Sequence, residues 1–123
     1  MSERFTKARR VRRRREFQRV FDLSLRIKGR YFTVLIGPNA EHTARLGIVA
    51  SKKLGDAVRR NRAKRLIREV FRRSGVVAVG HGVDFVVIPR RELLDVPYSS
   101  IESDLRTALR RGAARVPASD VVR

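Results

Sequence analysis

Residues 56–73, DAVRRNRAKRLIREVFRR, constrain the fold more than any other stretch. Ala63, Leu66, Ile67, Val70 and Phe71 recur at helical spacing and line up as one apolar stripe. Asn61, Arg65, Arg68 and Arg72 fall on the opposite side, with Arg62 and Lys64 on the flanks. A helix divided in this way needs an apolar layer beneath it and water or an anion above it. Asp56 supplies the start, because its carboxylate can accept from the free amides of the first turn. Gly75 supplies the stop.

The apolar layer comes from strands. Residues 31–36 (YFTVLI) are rich in β-branched and aromatic side chains, and 46–51 and 83–88 (VDFVVI) read as further strands. Alternation in 31–36 puts Phe32, Val34 and Ile36 on a uniformly apolar face, expected under helix 56–73. Tyr31, Thr33 and Leu35 make the mixed face, expected as a groove floor. The short connection through Gly37-Pro38-Asn39 makes strand 46–51 antiparallel to 31–36, and Gly47 within it would admit a close backbone. Asp84, inside an apolar run, is expected to pair locally with a cation, and Pro89 ends that strand. Residues 23–30 read as a connection ending in Gly29. Residues 76–82 are strand-like but broken by glycines.

Helices flank this set. Residues 13–22 read as a short helix with Phe17 and Phe21 one turn apart. Two readings of that pair stand side by side: core rings, or the edge of a groove for a nucleotide chain, since cations interleave them. A last helix opens at Ser99-Ser100-Ile101-Glu102, which resembles a capping box. It carries the stripe Ile101, Leu105, Ala108 and Leu109 and ends at Gly112. Residues 1–10 and 113–123 lack periodicity and read as flexible arms of a single domain.

Charge narrows the function. The 123 residues include 30 Lys and Arg against 12 Asp and Glu, a formal net charge of +18. Such a chain repels itself and calls for a polyanionic partner, nucleic acid before an anionic membrane surface. No segment is apolar enough to span a bilayer or to serve as a secretory signal. The absence of cysteine excludes disulfides and thiolate metal sites. A cytoplasmic protein fits. Arg59, Arg60 and Arg62 crowd the first turns of helix 56–73, where the helix dipole disfavours cations. Cations beside free amides make a seat for phosphate, and Lys52 and Lys53 extend the patch.

Side-chain catalysis has little to build on. His42 and His81 stand apart from any catalytic partner, and the acidic residues are scattered singly. The sequence KKLGDA lacks the spacing of a nucleoside-triphosphate loop. The residues describe a binder.

Several segments resemble the bacterial ribonuclease P protein component. These are Ser51-Lys52-Lys53, Gly55, Ala57-Val58 and Arg60-Asn61-Arg62-x-Lys64-Arg65-x-x-Arg68, with RRREFQRVF at 13–21, GRYFTVLIGPN at 29–39, LGIVASKK at 46–53 and DFVVIPR at 84–90. The likeness runs from about residue 10 to residue 109 in family order. It departs in 76–82 and at Pro89, where the family more often has a more polar connection and a small residue.

The resemblance implies an α+β two-layer sandwich of order α-β-β-β-α-β-α, ribosomal-protein-like, with four strands where the residues alone give three. It also implies an unusual left-handed β-α-β crossover through the central helix. The implied role is that of a subunit of ribonuclease P: the RNA subunit, holding Mg²⁺, removes the 5′ leader of precursor tRNA. The protein would bind ribonuclease P RNA through Lys52, Lys53, Arg60, Asn61, Arg62, Lys64, Arg65 and Arg68. It would bind the leader through Phe17, Phe21, Tyr31, Thr33, Ser51 and Arg90, with the aromatic pair lying along the cleft. Neither a protein-bound metal, a membrane nor an obligate protein partner is expected. The rival readings are a structural, ribosomal-type RNA-binding protein, a helix-turn-helix DNA binder and a protein-only ribonuclease. The helix-turn-helix needs a helix where 46–51 reads as a strand.

Overall fold

The computed structural model describes residues 25–39, 43–76 and 82–116. The helix expected at 13–22, with Phe17 and Phe21, lies outside the described residues, as do His42 and His81.

An apolar run with two buried faces belongs in the middle of a sheet. Strand β4 (Val83–Pro89) takes that place. It pairs antiparallel with β2 (Phe32–Pro38) and parallel with β3 (Ala44–Ile48). Strand β1 (Leu25–Lys28) pairs antiparallel with β2, giving the order β1-β2-β4-β3. Two expectations are corrected here. Residues 25–28 form an edge strand rather than a connection. Strands β2 and β3 run in opposite directions, as expected, but β4 lies between them.

Helix α1 (Ala57–Arg73) connects β3 to β4, and α2 (Tyr98–Arg115) follows a 3-10 turn at Arg91–Asp95. Among the described residues the order is β-β-β-α-β-α. The α1 stripe forms as read: Ala63, Ile67, Val70 and Phe71 are buried, and Leu66 is half-buried. They share one core with Phe32, Val34 and Ile36 of β2, with Phe85 and Val87 of β4, and with Ile101, Leu105 and Leu109 of α2. The Phe71 and Phe85 rings meet edge to face, their centroids 6.0 Å apart. Tyr31 packs against this core, whereas Leu35 joins Val86 in a second cluster on the other face of the sheet. The two residues therefore do not share a groove floor.

The ends of α1 follow the sequence. The Asp56 carboxylate accepts from the Arg59 amide at 3.0 Å, and Gly75 turns the chain at φ +85°. The ends of α2 do not. The chain enters from extended Pro97 and the helix begins at Tyr98 with no side-chain cap. Ser99 is already helical, so the box does not form. Glu102 pairs instead with Arg106 at 2.9 Å. Gly112 is internal to α2, not its end. A Cβ there would sit 2.4 Å from Ile36 Cδ1, so the glycine lets α2 press onto β2. The helix continues to Arg115, so 113–115 is ordered as helix rather than a flexible arm.

Asp84 is paired, though not locally. Its carboxylate accepts from Arg45 Nε at 2.8 Å and Nη2 at 2.9 Å, and from Asn39 Nδ2 at 2.5 Å. A carboxylate buried in a strand requires such compensation.

Candidate nucleic-acid interface

The outer side of α1 is built by the same periodicity that buries its stripe. Val58, Asn61, Arg62 and Arg65 are exposed at i, i+3, i+4 and i+7. Arg60, Lys64 and Arg68 are half-buried along the flanks. Among the described residues, Arg60, Arg62, Lys64, Arg65, Lys52 and Lys53 form no ion pair with a carboxylate. The single acid of the helix, Glu69, is held by Arg72 at 2.6 Å and Arg73 at 2.5 Å, at its far end. The cations at the start of α1 therefore keep their charge for an external anion. Arg60 carries one further mark: its Nε is buried without a hydrogen-bond partner.

Arg59 is the exception within the cluster. Its Nε donates to the Leu54 carbonyl at 2.8 Å and its Nη2 to the Arg91 carbonyl at 3.2 Å. Asp95 stands 3.5 Å from the same Nη2. Arg59 thus ties the turn Lys52–Leu54 and the turn Arg91–Asp95 to the head of α1. Gly55 lies beneath it at φ +125°, a conformation that favours glycine. Ser51 caps the first of these turns, its hydroxyl oxygen accepting from the Lys53 amide at 3.3 Å. This geometry fixes where Lys52 and Lys53 emerge.

Next to that turn an open cleft of 670 Å³ is lined by Ser51, Lys53, Ile88, Pro89, Arg90 and Arg91. Its walls combine an apolar floor with a hydroxyl and three cations. Ser51 and Arg90, both read as leader-contacting, meet here. Arg91 and Lys53, the latter read for the other surface, line the same space. Ile88 and Pro89 line it too, although the sequence marks Pro89 only as a strand end and a departure from the family pattern and gives Ile88 no groove role. Their signal was available, since they immediately precede Arg90 at a strand end.

Arg90 has internal work. Its Nη1 donates to the Gly29 carbonyl and, at 3.3 Å, to the Phe32 carbonyl, and its Nη2 donates to Thr33 Oγ1 at 3.1 Å. Its amide donates to the Tyr31 carbonyl at 2.8 Å. Arg90 therefore clasps the β1–β2 turn and orients Thr33 and Tyr31. Phe17 and Phe21 lie outside the described residues. Among the described residues there is no cluster of His, Cys, Asp or Glu that could hold a metal, and no helix long and apolar enough to cross a membrane.

The chain is similar to known proteins in both sequence and fold. A family model described as Ribonuclease P matches residues 5–113. The ribonuclease P protein component of Thermotoga petrophila is 40% identical over 115 residues, covering 90% of this chain and 97% of the relative. The solved RNase P protein from Thermotoga maritima superposes with a TM-score of 0.73 at 39% identity, covering 83% of this chain and 96% of that one. A Staphylococcus aureus RNase P protein gives a TM-score of 0.71 at 37% identity, covering 85% and 95%. A mixed sheet, a helix whose first turns carry cations without carboxylate partners among the described residues, and likeness in sequence and fold over most of the chain place it in one family: it belongs to the ribonuclease P proteins, as a subunit of the ribonucleoprotein that processes the 5′ end of tRNA, in which the RNA is the catalyst.

Proposed function

We propose that the protein divides its two partners between two surfaces. The outer side of α1 and the turn before it hold ribonuclease P RNA through Lys52, Lys53, Arg60, Asn61, Arg62, Lys64, Arg65 and Arg68. Arginine forks suit phosphate oxygens, and Asn61 adds a donor and an acceptor for a base edge or a 2′-hydroxyl. The observation that carries this reading is that Arg60, Arg62, Lys64 and Arg65 of α1 have no carboxylate partner among the described residues.

The second surface is the cleft at the ends of β2 and β4. There Ser51, Arg91 and the apolar floor would receive the 5′ leader of precursor tRNA, with Lys53 on the border between the two surfaces. Tyr31 and Thr33, held in place by Arg90, would contact the leader too, as would Phe17 and Phe21. Cations over apolar surface suit a flexible single strand, with little base discrimination. Hydrolysis needs no protein acid or base in this scheme. Mg²⁺ on the RNA supplies it, in the cytoplasm, and the protein raises the affinity for substrate and metal.

The test is reconstitution of the full chain with a bacterial ribonuclease P RNA. Leader removal should proceed at Mg²⁺ concentrations where the RNA alone is slow. The affinity gain should appear for leader-bearing tRNA and vanish for mature tRNA. An equal gain for both would remove the leader surface from the account.

A further inference from the structure

Val58 is the most exposed of the large hydrophobic residues among the described residues, at 74%, against 43% for Tyr98 and 40% for Leu25. It sits in the first turn of α1, and its position works against the free protein twice. A β-branched residue loses rotamer freedom in a helix, so alanine would serve the helix better. Its apolar surface also stays in water. A lone exposed apolar side chain is ordinary on a protein surface, but this one is not isolated. It begins the exposed row Val58, Asn61, Arg62 and Arg65, whose other members are an amide and two unpaired cations. An anionic macromolecule drawn onto those cations necessarily covers Val58 as well.

We infer that Val58 is a contact residue for the RNA subunit, packing against ribose carbons or a base face while Arg62 and Arg65 hold the flanking phosphates. The inference rests on the assignment of α1 to that RNA and deepens it. Phosphate contacts carry no sequence information of their own. Phosphates lie on every RNA, whereas a sugar edge or base face at one fixed depth below them belongs to a folded groove. Val58 therefore separates the structured RNA from polyanions in general. It supplies the part of the affinity that salt does not remove.

The experiment compares Val58→Ala and Val58→Thr with the unchanged full chain. Affinity is measured against a bacterial ribonuclease P RNA and against poly-uridine over a series of KCl concentrations. Removing the buried methyl groups should weaken binding to the structured RNA by about tenfold for Val58→Ala and less for Val58→Thr. The salt slope should stay unchanged, because no counterion is involved. Poly-uridine binding should not move. Val58→Ala should melt at the same temperature or higher, so the loss cannot be assigned to unfolding, and Val58→Thr keeps the β-branched shape should alanine prove disruptive. Binding within twofold of the unchanged chain for both variants, an equal loss on poly-uridine, or a changed salt slope would each overturn the inference. Arg62→Ala, run in parallel, keeps the two readings apart. If its slope falls while Val58→Ala does nothing, α1 remains the RNA surface and Val58 is a bystander. If its slope is also unchanged, the assignment of α1 itself fails.

Discussion

Arg45 and Asp84 face each other across the parallel pair β3–β4, the guanidinium donating two hydrogen bonds of 2.8 and 2.9 Å to one carboxylate. Both side chains are nearly buried, at 11% and 3% exposure. Asn39 brings a third donor to the same carboxylate and a second bond to the Thr43 carbonyl. Its backbone amide also bonds the Gly82 carbonyl. The group therefore joins the sheet to the chain on either side of it.

Breaking this pair leaves a buried charge without a partner. Asp84→Ala should destabilise the protein by about 3–5 kcal/mol, the range for an orphaned buried ion. Replacing both partners, Arg45→Met with Asp84→Leu, should recover most of the loss, since the desolvation penalty goes with the charges. Urea unfolding of Asp84→Ala and of the double variant checks this. A double mutant as unstable as the single would show that the pair itself, not the stranded charge, carries the energy.

Gly112 and Ile36 make a second test, at the contact between α2 and β2. A Cβ at position 112 meets Ile36 Cδ1 at 2.4 Å, and Ile36 is fully buried, so it has no room to give. Gly112→Ala should cost about 1–3 kcal/mol through overpacking, although alanine favours the helix. Ile36→Val removes Cδ1 and should rescue Gly112→Ala in part. Thermal melts of the four members of this cycle give the coupling. Additive losses would mean that the two residues do not press on one another.

The same contact shows what the sequence could and could not reveal. Helix α1, its Asp56 cap and the inward set Phe32, Val34 and Ile36 follow from periodicity, because burial writes itself into spacing. Gly112 reads as a helix stop because glycine most often ends helices. Only the packed structure reveals that another element needs the missing side chain. Strand β1 was hidden by its length: Leu25-Arg26-Ile27-Lys28 does alternate, but over four residues at a sheet edge. Arg45 was hidden among 30 basic residues. The signal that could have found it was Asp84, whose place in an apolar strand demands a cation on a neighbouring strand. In the candidate site, the patch on α1 was legible as a whole. The division of labour inside it was not, since Arg59 and Arg62 look alike until their partners are known.

Arg90 illustrates a residue whose type was read correctly and whose work differs. Its fork reaches the Gly29 and Phe32 carbonyls and Thr33 at once. Lysine keeps the charge but not the fork. Arg90→Lys should therefore lower stability by about 1–2 kcal/mol through lost hydrogen bonds. It should also weaken leader-bearing tRNA more than a one-for-one charge swap predicts. Urea unfolding together with binding of tRNA with and without a leader decides it. Full stability in Arg90→Lys would return Arg90 to the role of a simple rim cation.

Arg59 and Arg62 stand three residues apart on one helix and should separate cleanly. Arg59 donates to the Leu54 and Arg91 carbonyls, and its ion pair with Asp95, at 3.5 Å and largely exposed, adds little. Arg62 is exposed and forms no ion pair among the described residues. Arg59→Ala should lower stability by about 1–2 kcal/mol and leave the salt slope of RNA binding nearly unchanged. Arg62→Ala should leave stability within about 0.5 kcal/mol and lower the slope by roughly one unit, the release expected for one lost phosphate contact. Combining Arg62→Ala with Arg60→Ala should lower it by roughly two units, because each contact releases its own counterion. The measurement is affinity for a bacterial ribonuclease P RNA across a KCl series, with a melt of each variant beside it. If Arg59→Ala reduced the slope as much as Arg62→Ala, the carbonyl contacts of Arg59 would be incidental and the whole first turn would act as a single phosphate seat.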